Sequence, residues 1–239
     1  MTLHYEMVSE DLRSTLLQLM KIDELRIFRL VGGTGLALQL GHRSSVDIDL
    51  FAGGGAPKPN ELVEILRSNF SNNFQINRVQ QLGLAAMING VKVDLYDWKV
   101  PYSTEPNIVD GIRMATTEDI FAFKCEALFG RRVEKDFSDL AEIMQHQPLD
   151  KLLSTFKIRY PYYTVSAVFA ILLKPEVFER DESIRYAPGK SYSEYCTSLK
   201  EAITNYQNQL LITKEQAMMQ REKKIQSLIE QKRKGNKKL

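Results

Sequence analysis

Residues 32–51 read GGTGLALQLGHRSSVDIDLF, and their order decides the fold. Two glycines open a short apolar stretch, residues 34–40, that reads as a helix closed by Gly41 in a C-cap role. A polar turn at residues 42–45 leads into a strand over residues 46–51. Side chains at i and i+2 of a strand point the same way, so Asp47 and Asp49 share one face while Val46, Ile48 and Leu50 take the other. Two carboxylates that close repel each other unless a cation or a proton separates them. Hard oxygen ligands with room left for phosphate oxygens suit Mg²⁺. Gly32 and Gly33 allow close backbone approach, and the N-terminus of the helix they open favours an anion. The stretch thus encodes a phosphate site and a metal site side by side.

On these residues the chain resembles the nucleotidyltransferase superfamily to which DNA polymerase β belongs. More narrowly, it resembles the AbiEii-type nucleotidyltransferase toxins of bacterial toxin–antitoxin systems. That family's G-G-[ST] opening is matched by Gly32, Gly33 and Thr34, and its R-x-S-x-D-[IL]-D-[LF] segment by Arg43, Ser45, Asp47, Ile48, Asp49 and Leu50. A second block, residues 117–140, reads TEDIFAFKCEALFGRRVEKDFSDL. It matches the family's K-x-x-A-x-x-x-R-x-x-x-K-D-x-x-D pattern at Lys124, Ala127, Arg131, Lys135, Asp136 and Asp139. The occurrence of both blocks, in order and at this separation, makes the resemblance specific. It leaves the chain beyond residue 145 without a matched motif.

The resemblance implies a Mg²⁺-dependent transfer of a nucleoside monophosphate from an NTP to an acceptor hydroxyl, with release of pyrophosphate. Its toxin character points to RNA, tRNA included, as acceptor, and to a cognate antitoxin protein encoded nearby. It also implies that Lys124 contacts the triphosphate and that Lys135 with Asp136 completes the cleft. Two other readings stay open. One is the same chemistry on a small hydroxylated molecule, as in antibiotic-resistance nucleotidyltransferases; the other is a non-catalytic nucleotide- or RNA-binding module.

Nucleotidyl transfer is mainly positioning and charge neutralisation, and two metal ions can clamp the attacking and leaving oxygens. Asp47 and Asp49 are the expected ligands. Asp94, on the same strand face as Lys92 and Tyr96, is expected to complete the metal site and accept the acceptor's proton, with Asp97 as the substitute. Gly32, Gly33 and Thr34 are expected to hold triphosphate oxygens through backbone N–H groups and the Thr34 hydroxyl. Arg43 and Ser45 are expected to touch phosphate or to orient Asp47. Arg131 follows Lys124 by seven residues, which two helical turns would place on one face. Asp136 and Asp139, three apart, also share a face, and an interhelical ion-pair network is the competing reading of this cluster. His42 reads as a polar turn residue. Tyr160, Tyr162, Tyr163, Phe169 and Phe178 read most simply as helical core.

The bulk composition agrees with a folded enzyme. Hydrophobic residues make up 44% of 239, enough for a sizeable core, and charged residues 26%. Cys125 and Cys196 show no metal spacing and read as reduced thiols of a cytoplasmic protein. The N-terminus has no signal-peptide profile, and no apolar run approaches a membrane span. The net charge of +2 hides an asymmetry: residues 221–239 carry eight Lys or Arg against two Glu, a basic tail able to meet RNA or another polyanion.

Working outward, Ser9 reads as the N-cap of a first helix, and residues 27–31 as a strand delivering the chain to Gly32. The breaker-rich loop at residues 52–60 is expected to border the cleft. Three β-rich runs follow within residues 74–98, with Asn89-Gly90 as a hairpin turn. Thr117 reads as an N-cap, and helices run on from there, interrupted by a polar loop at residues 179–192. The fold expected is α+β: a small mixed sheet in a core domain over residues 1–115, then a helical domain over residues 116–239 with the basic tail.

Overall fold

A computed structural model describes residues 2–235, with side chains described through residue 226. Of the basic tail, residues 236–239 and the side chains from 227 onward lie outside the described residues. Helix α1 (Glu10–Met20) starts where expected, with the Leu12 N–H donating to Ser9 Oγ at 3.2 Å, and it buries Leu12, Leu16 and Leu19. Strand β1 is only Arg29–Leu30 instead of the expected five residues. The Phe28 N–H turns back to the Leu25 carbonyl at 3.0 Å, so the chain is still in a turn where the strand was to begin. Helix α2 (Gly32–Leu40) ends at Gly41, whose φ of 64° is the left-handed cap geometry.

Strand β2 (Asp47–Ala52) and helix α3 (Pro59–Phe70) precede β3 (Phe74–Gln80), β4 (Gly83–Ile88) and β5 (Val91–Asp97). Asn89 and Gly90 both have positive φ, as a tight hairpin turn demands. A further hairpin, β6 (Asn107–Val109) and β7 (Ile112–Met114), which the sequence reading did not include, turns at Asp110-Gly111, also at positive φ. The sheet is mixed, seven-stranded, and ordered β3-β4-β5-β2-β1-β7-β6. Strands β2 and β5 run parallel at its centre, with Asp47 opposite Lys92, Asp49 opposite Asp94 and Phe51 opposite Tyr96.

Alternation divides the work of these strands. Ile48, Leu50, Val93 and Leu95 are fully buried in the core shared with α1 and α3. Full burial of each such side chain contributes about 1.5–3 kcal/mol. The opposite face carries the charged and aromatic positions. Helix α2 packs on it, α4 (Thr117–Ala127) and α5 (Glu134–His146) pack on α2 and on each other, and α6 (Leu149–Arg159) packs on α4, with α7 (Val165–Leu172) next in the chain. The N-cap of α4 is Thr116, one residue earlier than expected, its Oγ1 accepting from the Asp119 N–H. Helix α8 (Tyr192–Gly235) closes the chain.

One compact unit ends at Leu199, and a second begins at Lys200. In the second, Leu211, Met218 and Met219 are exposed on the helix. Among the described residues no helix is long and apolar enough to cross a membrane.

Candidate active site

The sheet face described above opens into a cavity of about 640 Å³, within the range of small-molecule sites. Its floor is Asp47 and Asp49 from β2 and Asp94 from β5, all three lining the space. Gly32 lies directly over Asp49: a Cβ at this position would come within 2.1 Å of Asp49 Oδ2, and φ there is +65°. Only glycine fits both constraints. Gly33 is equally crowded, since its Cβ would meet the Arg43 guanidinium at 2.6 Å and Ser45 Oγ at 3.2 Å. The glycine pair thus lets the N-terminus of α2 sit against the carboxylate floor.

The floor is short of positive charge. Burial pushes the Asp49 carboxyl up to about 6, and the neighbouring Asp94 carboxylate adds to this, against the pull of Lys124 and Lys92. Asp94 turns Oδ2 to Lys92 Nζ at 3.0 Å, while its Oδ1 is buried with no hydrogen-bond partner among the described residues. Among those residues no three His, Cys, Asp or Glu side chains already stand close enough together to hold an ion.

The second sequence block builds the adjoining wall, and here several expectations change. Helix α4 ends at Ala127, so Arg131 is not two helical turns beyond Lys124 on one helix; a turn intervenes, and Asp136 gathers both. Lys124 Nζ lies 2.6 Å from Asp136 Oδ1 and 2.7 Å from Asp139 Oδ2. Arg131 Nε donates to Asp136 Oδ2 at 2.8 Å. Asp136 is wholly buried and does not itself line the cavity; it is bonded to Lys124 and Arg131, which do line it together with Lys135.

Arg43 is likewise not free for phosphate. Its Nε and Nη2 donate to the two oxygens of Asp139 at 2.7 and 2.8 Å, and His42 Nε2 meets the same carboxylate at 2.7 Å. His42 is therefore a fully buried member of this network and not a polar turn residue. Burial pushes Asp139 upward, but the Arg43 and Lys124 charges and the His42 hydrogen bond outweigh it, holding the carboxyl well below the ordinary range. Thr34 also differs from expectation. It is buried, and its hydroxyl donates to the Asp47 carbonyl and pairs with the Ser45 hydroxyl, bracing β2 in place of facing a phosphate.

Two groups of cavity residues were not foreseen. Phe51, Tyr96, Trp98 and Phe123 form an aromatic end wall; the Phe51 and Trp98 rings are parallel within 4° at 5.9 Å, and Phe123 stands edge-on to both. The strand alternation that singled out the aspartates also places Phe51 and Tyr96 on that face, so the signal was present. The aromatics named from the sequence lie elsewhere: Tyr160, Phe169 and Phe178 are buried as core, whereas Tyr162 is 95% exposed. The polar loop after residue 178 returns to the mouth, where Asp181, Ser183 and Ile184 line the cavity. It is tied back by Glu134, which accepts from Arg180 Nε, the Asp181 N–H and the Tyr186 hydroxyl. The loop at residues 52–60 does not border the cavity; Gly53 and Gly54 line a separate depression with Arg29 and Tyr102.

A mixed sheet that sets a glycine-opened helix over paired strand carboxylates, with a buried lysine beside them, defines a nucleotidyltransferase. Residues 16–209 match the family described as nucleotidyl transferase AbiEii toxin, type IV TA system, and the chain belongs to that family. It is 27% identical over 164 residues to the protein aq_aa25 of Aquifex aeolicus, covering 64% of this chain and 74% of that one. In fold it is similar to the nucleotidyltransferase toxin MenT4 of Mycobacterium tuberculosis, with a TM-score of 0.53, 10% identity and 80% of each chain covered. It is also similar to JHP933 of Helicobacter pylori, with a TM-score of 0.50, 19% identity, and 87% of this chain and 97% of that one covered.

Proposed function

We propose that this enzyme transfers a nucleoside monophosphate from an NTP to an RNA hydroxyl in a Mg²⁺-dependent reaction, as the toxin of a toxin–antitoxin pair. The observation that carries the reading is the seating of Gly32 on Asp49, which presses a helix N-terminus suited to phosphate against a carboxylate floor suited to a cation. The donor set fits magnesium: hard oxygens only, an orphaned buried Asp94 oxygen, and an Asp49 carboxyl pushed up to about 6 by burial and by the neighbouring Asp94 carboxylate. Asp47, Asp49 and Asp94 would hold the metal, which when bound supplies charge neutralisation at the reacting phosphate and the leaving pyrophosphate.

The chain's own groups do the rest. The Gly32 and Gly33 N–H groups receive phosphate oxygens, and Lys124, held by Asp136 and Asp139, offers its ammonium to the triphosphate. Lys135 and Arg131 add positive charge along the same wall. The acceptor oxygen forms a bond to the α-phosphorus as the bond to pyrophosphate breaks, and its proton passes to Asp94. Support for a polyanionic acceptor comes from Arg131, exposed at the cavity, from the exposed Arg132 next to it in the chain, and from the basic tail in the sequence. The test is label transfer from each NTP to total bacterial RNA with Mg²⁺, beside a folded Asp47→Ala, Asp49→Ala double variant. Transfer by the wild type alone is expected; no transfer to RNA from any NTP would remove the proposal.

A further inference from the structure

We infer that the aromatic end wall is the nucleobase subsite: the base of the NTP stacks on Phe51 and Trp98, and its exocyclic amino group donates to Glu126. The inference rests on the nucleotidyltransfer reading above and deepens it.

Three observations point to this occupant. Phe51 lies two residues beyond Asp49 on the same strand face, roughly 6–7 Å along β2. That is the reach of one ribose from a phosphate at the floor to a base at the wall. The basic groups Lys124, Arg131 and Lys135 draw the remaining phosphates along their own wall, so the nucleoside is left to turn toward the aromatics. Phe51, Tyr96, Trp98 and Phe123 are all only partly buried although they line an otherwise polar site, and every base has a π-face to offer such rings.

The wall is firmly backed. Arg159 lies 4.2 Å over the Phe123 ring, is itself buried, donates to the Val100 and Pro101 carbonyls and pairs with Asp119. The segment that carries Trp98 is thus fixed from behind, and the Trp98 N–H is bonded to the Ala52 carbonyl at 3.0 Å.

Glu126 supplies the selective element. It follows Phe123 by three residues on the same face of α4, lines the same cavity, and has no side-chain hydrogen bond or ion pair among the described residues. An ionised carboxylate only accepts hydrogen bonds, so it favours the amino groups of adenine and cytosine and the paired N1–H and amino donors of guanine over uracil, whose single N3–H is flanked by two carbonyl oxygens that repel a carboxylate.

Trp98 is the only tryptophan of the chain, so its emission reports on the wall directly. The experiment titrates the full chain, with Mg²⁺, with each of the four NTPs and with inorganic tripolyphosphate, following Trp98 fluorescence and heat of binding together. Saturable quenching by ATP, CTP and GTP is expected, with about tenfold weaker binding of UTP and with tripolyphosphate bound silently. A Trp98→Ala variant is expected to weaken NTP binding about tenfold or more while leaving tripolyphosphate unchanged, and Trp98→Phe to recover most of the loss. In Glu126→Gln the discrimination against UTP should shrink.

NTP binding by calorimetry without any change in Trp98 emission overturns the inference and leaves nucleotidyltransfer standing. Quenching by a short RNA oligonucleotide but by no NTP also overturns it, assigning the wall to the acceptor's base. Equal affinity for UTP removes the role given to Glu126. If neither NTPs nor tripolyphosphate bind at all, the functional reading itself falls.

Discussion

Two aspartates, Asp49 on a strand and Asp139 on a helix, show what governs this site. Asp139 is wholly buried, yet its carboxyl is held well below the ordinary range; Asp49 opens partly to the cavity, yet its carboxyl is pushed up to about 6. Depth alone would predict the reverse order. Both groups are opposed by burial, and the neighbours decide: Arg43, Lys124 and His42 around one, Asp94 and Asp47 beside the other. One cluster is electrically finished within the protein, whereas the other awaits charge from outside. The first is built as scaffold, and the second is the site to which the proposed chemistry is assigned.

The comparison breaks most readily at Asp139. Asp139→Ala should cost about 3–5 kcal/mol, because Arg43 and Lys124 are left buried without their shared counter-charge. Denaturant unfolding measures it, and a loss below about 1 kcal/mol would mean the network is not a scaffold.

Acid should expose the same cluster next. Asp136 and Asp139 have folded-state values below the ordinary 3.8, so their stabilisation is complete above that value and is lost as pH falls toward the lowered one. The melting temperature of the metal-free protein is therefore expected to fall steeply below about pH 4, and a fall already under way at pH 6 would point to another group.

Asp49→Asn tests the opposite cluster and should have the opposite sign. Removing the repelled carboxylate should stabilise the metal-free fold by roughly 1–2 kcal/mol, read as a rise of a few degrees in melting temperature, while transfer activity disappears. A destabilised Asp49→Asn would end the contrast drawn here.

The smallest effect is expected from Ser45→Ala, which removes the hydroxyl paired with Thr34 while the Asp47 carbonyl remains to the Thr34 donor. About 0.5–1 kcal/mol is expected in unfolding experiments. A much larger activity loss in this variant at unchanged stability would instead place Ser45 in contact with phosphate.

Legibility in the sequence followed the range of each interaction. The glycine pair, the left-handed Gly41 cap, the Asn89-Gly90 turn and the paired strand aspartates were readable because neighbours within a few residues determine them. The bond from Arg43 to Asp139 spans 96 residues, and that from His42 spans 97, so no local pattern announced that these two motifs hold each other. Thr34 was misread for a related reason: its first-turn position suggests a phosphate contact, but helix rotation turns the hydroxyl inward to β2. The hairpin of β6 and β7 was missed because three-residue strands carry too little alternation to register. Of the aromatic wall, half was visible in the alternation of β2 and β5, while Phe123 and Trp98 needed the tertiary fold to join them.

The tether at Glu134 separates what enters the cavity from what happens inside it. The mouth segment touches the chamber through Asp181, Ser183 and Ile184; Glu134 fastens it through Arg180, Tyr186 and the backbone N–H of Asp181, and Arg185 and Ala187 bond to the backbone of Ser44 and His42. Its side chains at the opening bear no weight in the carboxylate floor or in the lysine clamp. Changes to the Ser183 and Ile184 side chains, which take no part in these fastenings, are therefore expected to alter what passes the doorway while leaving the carboxylate floor in place.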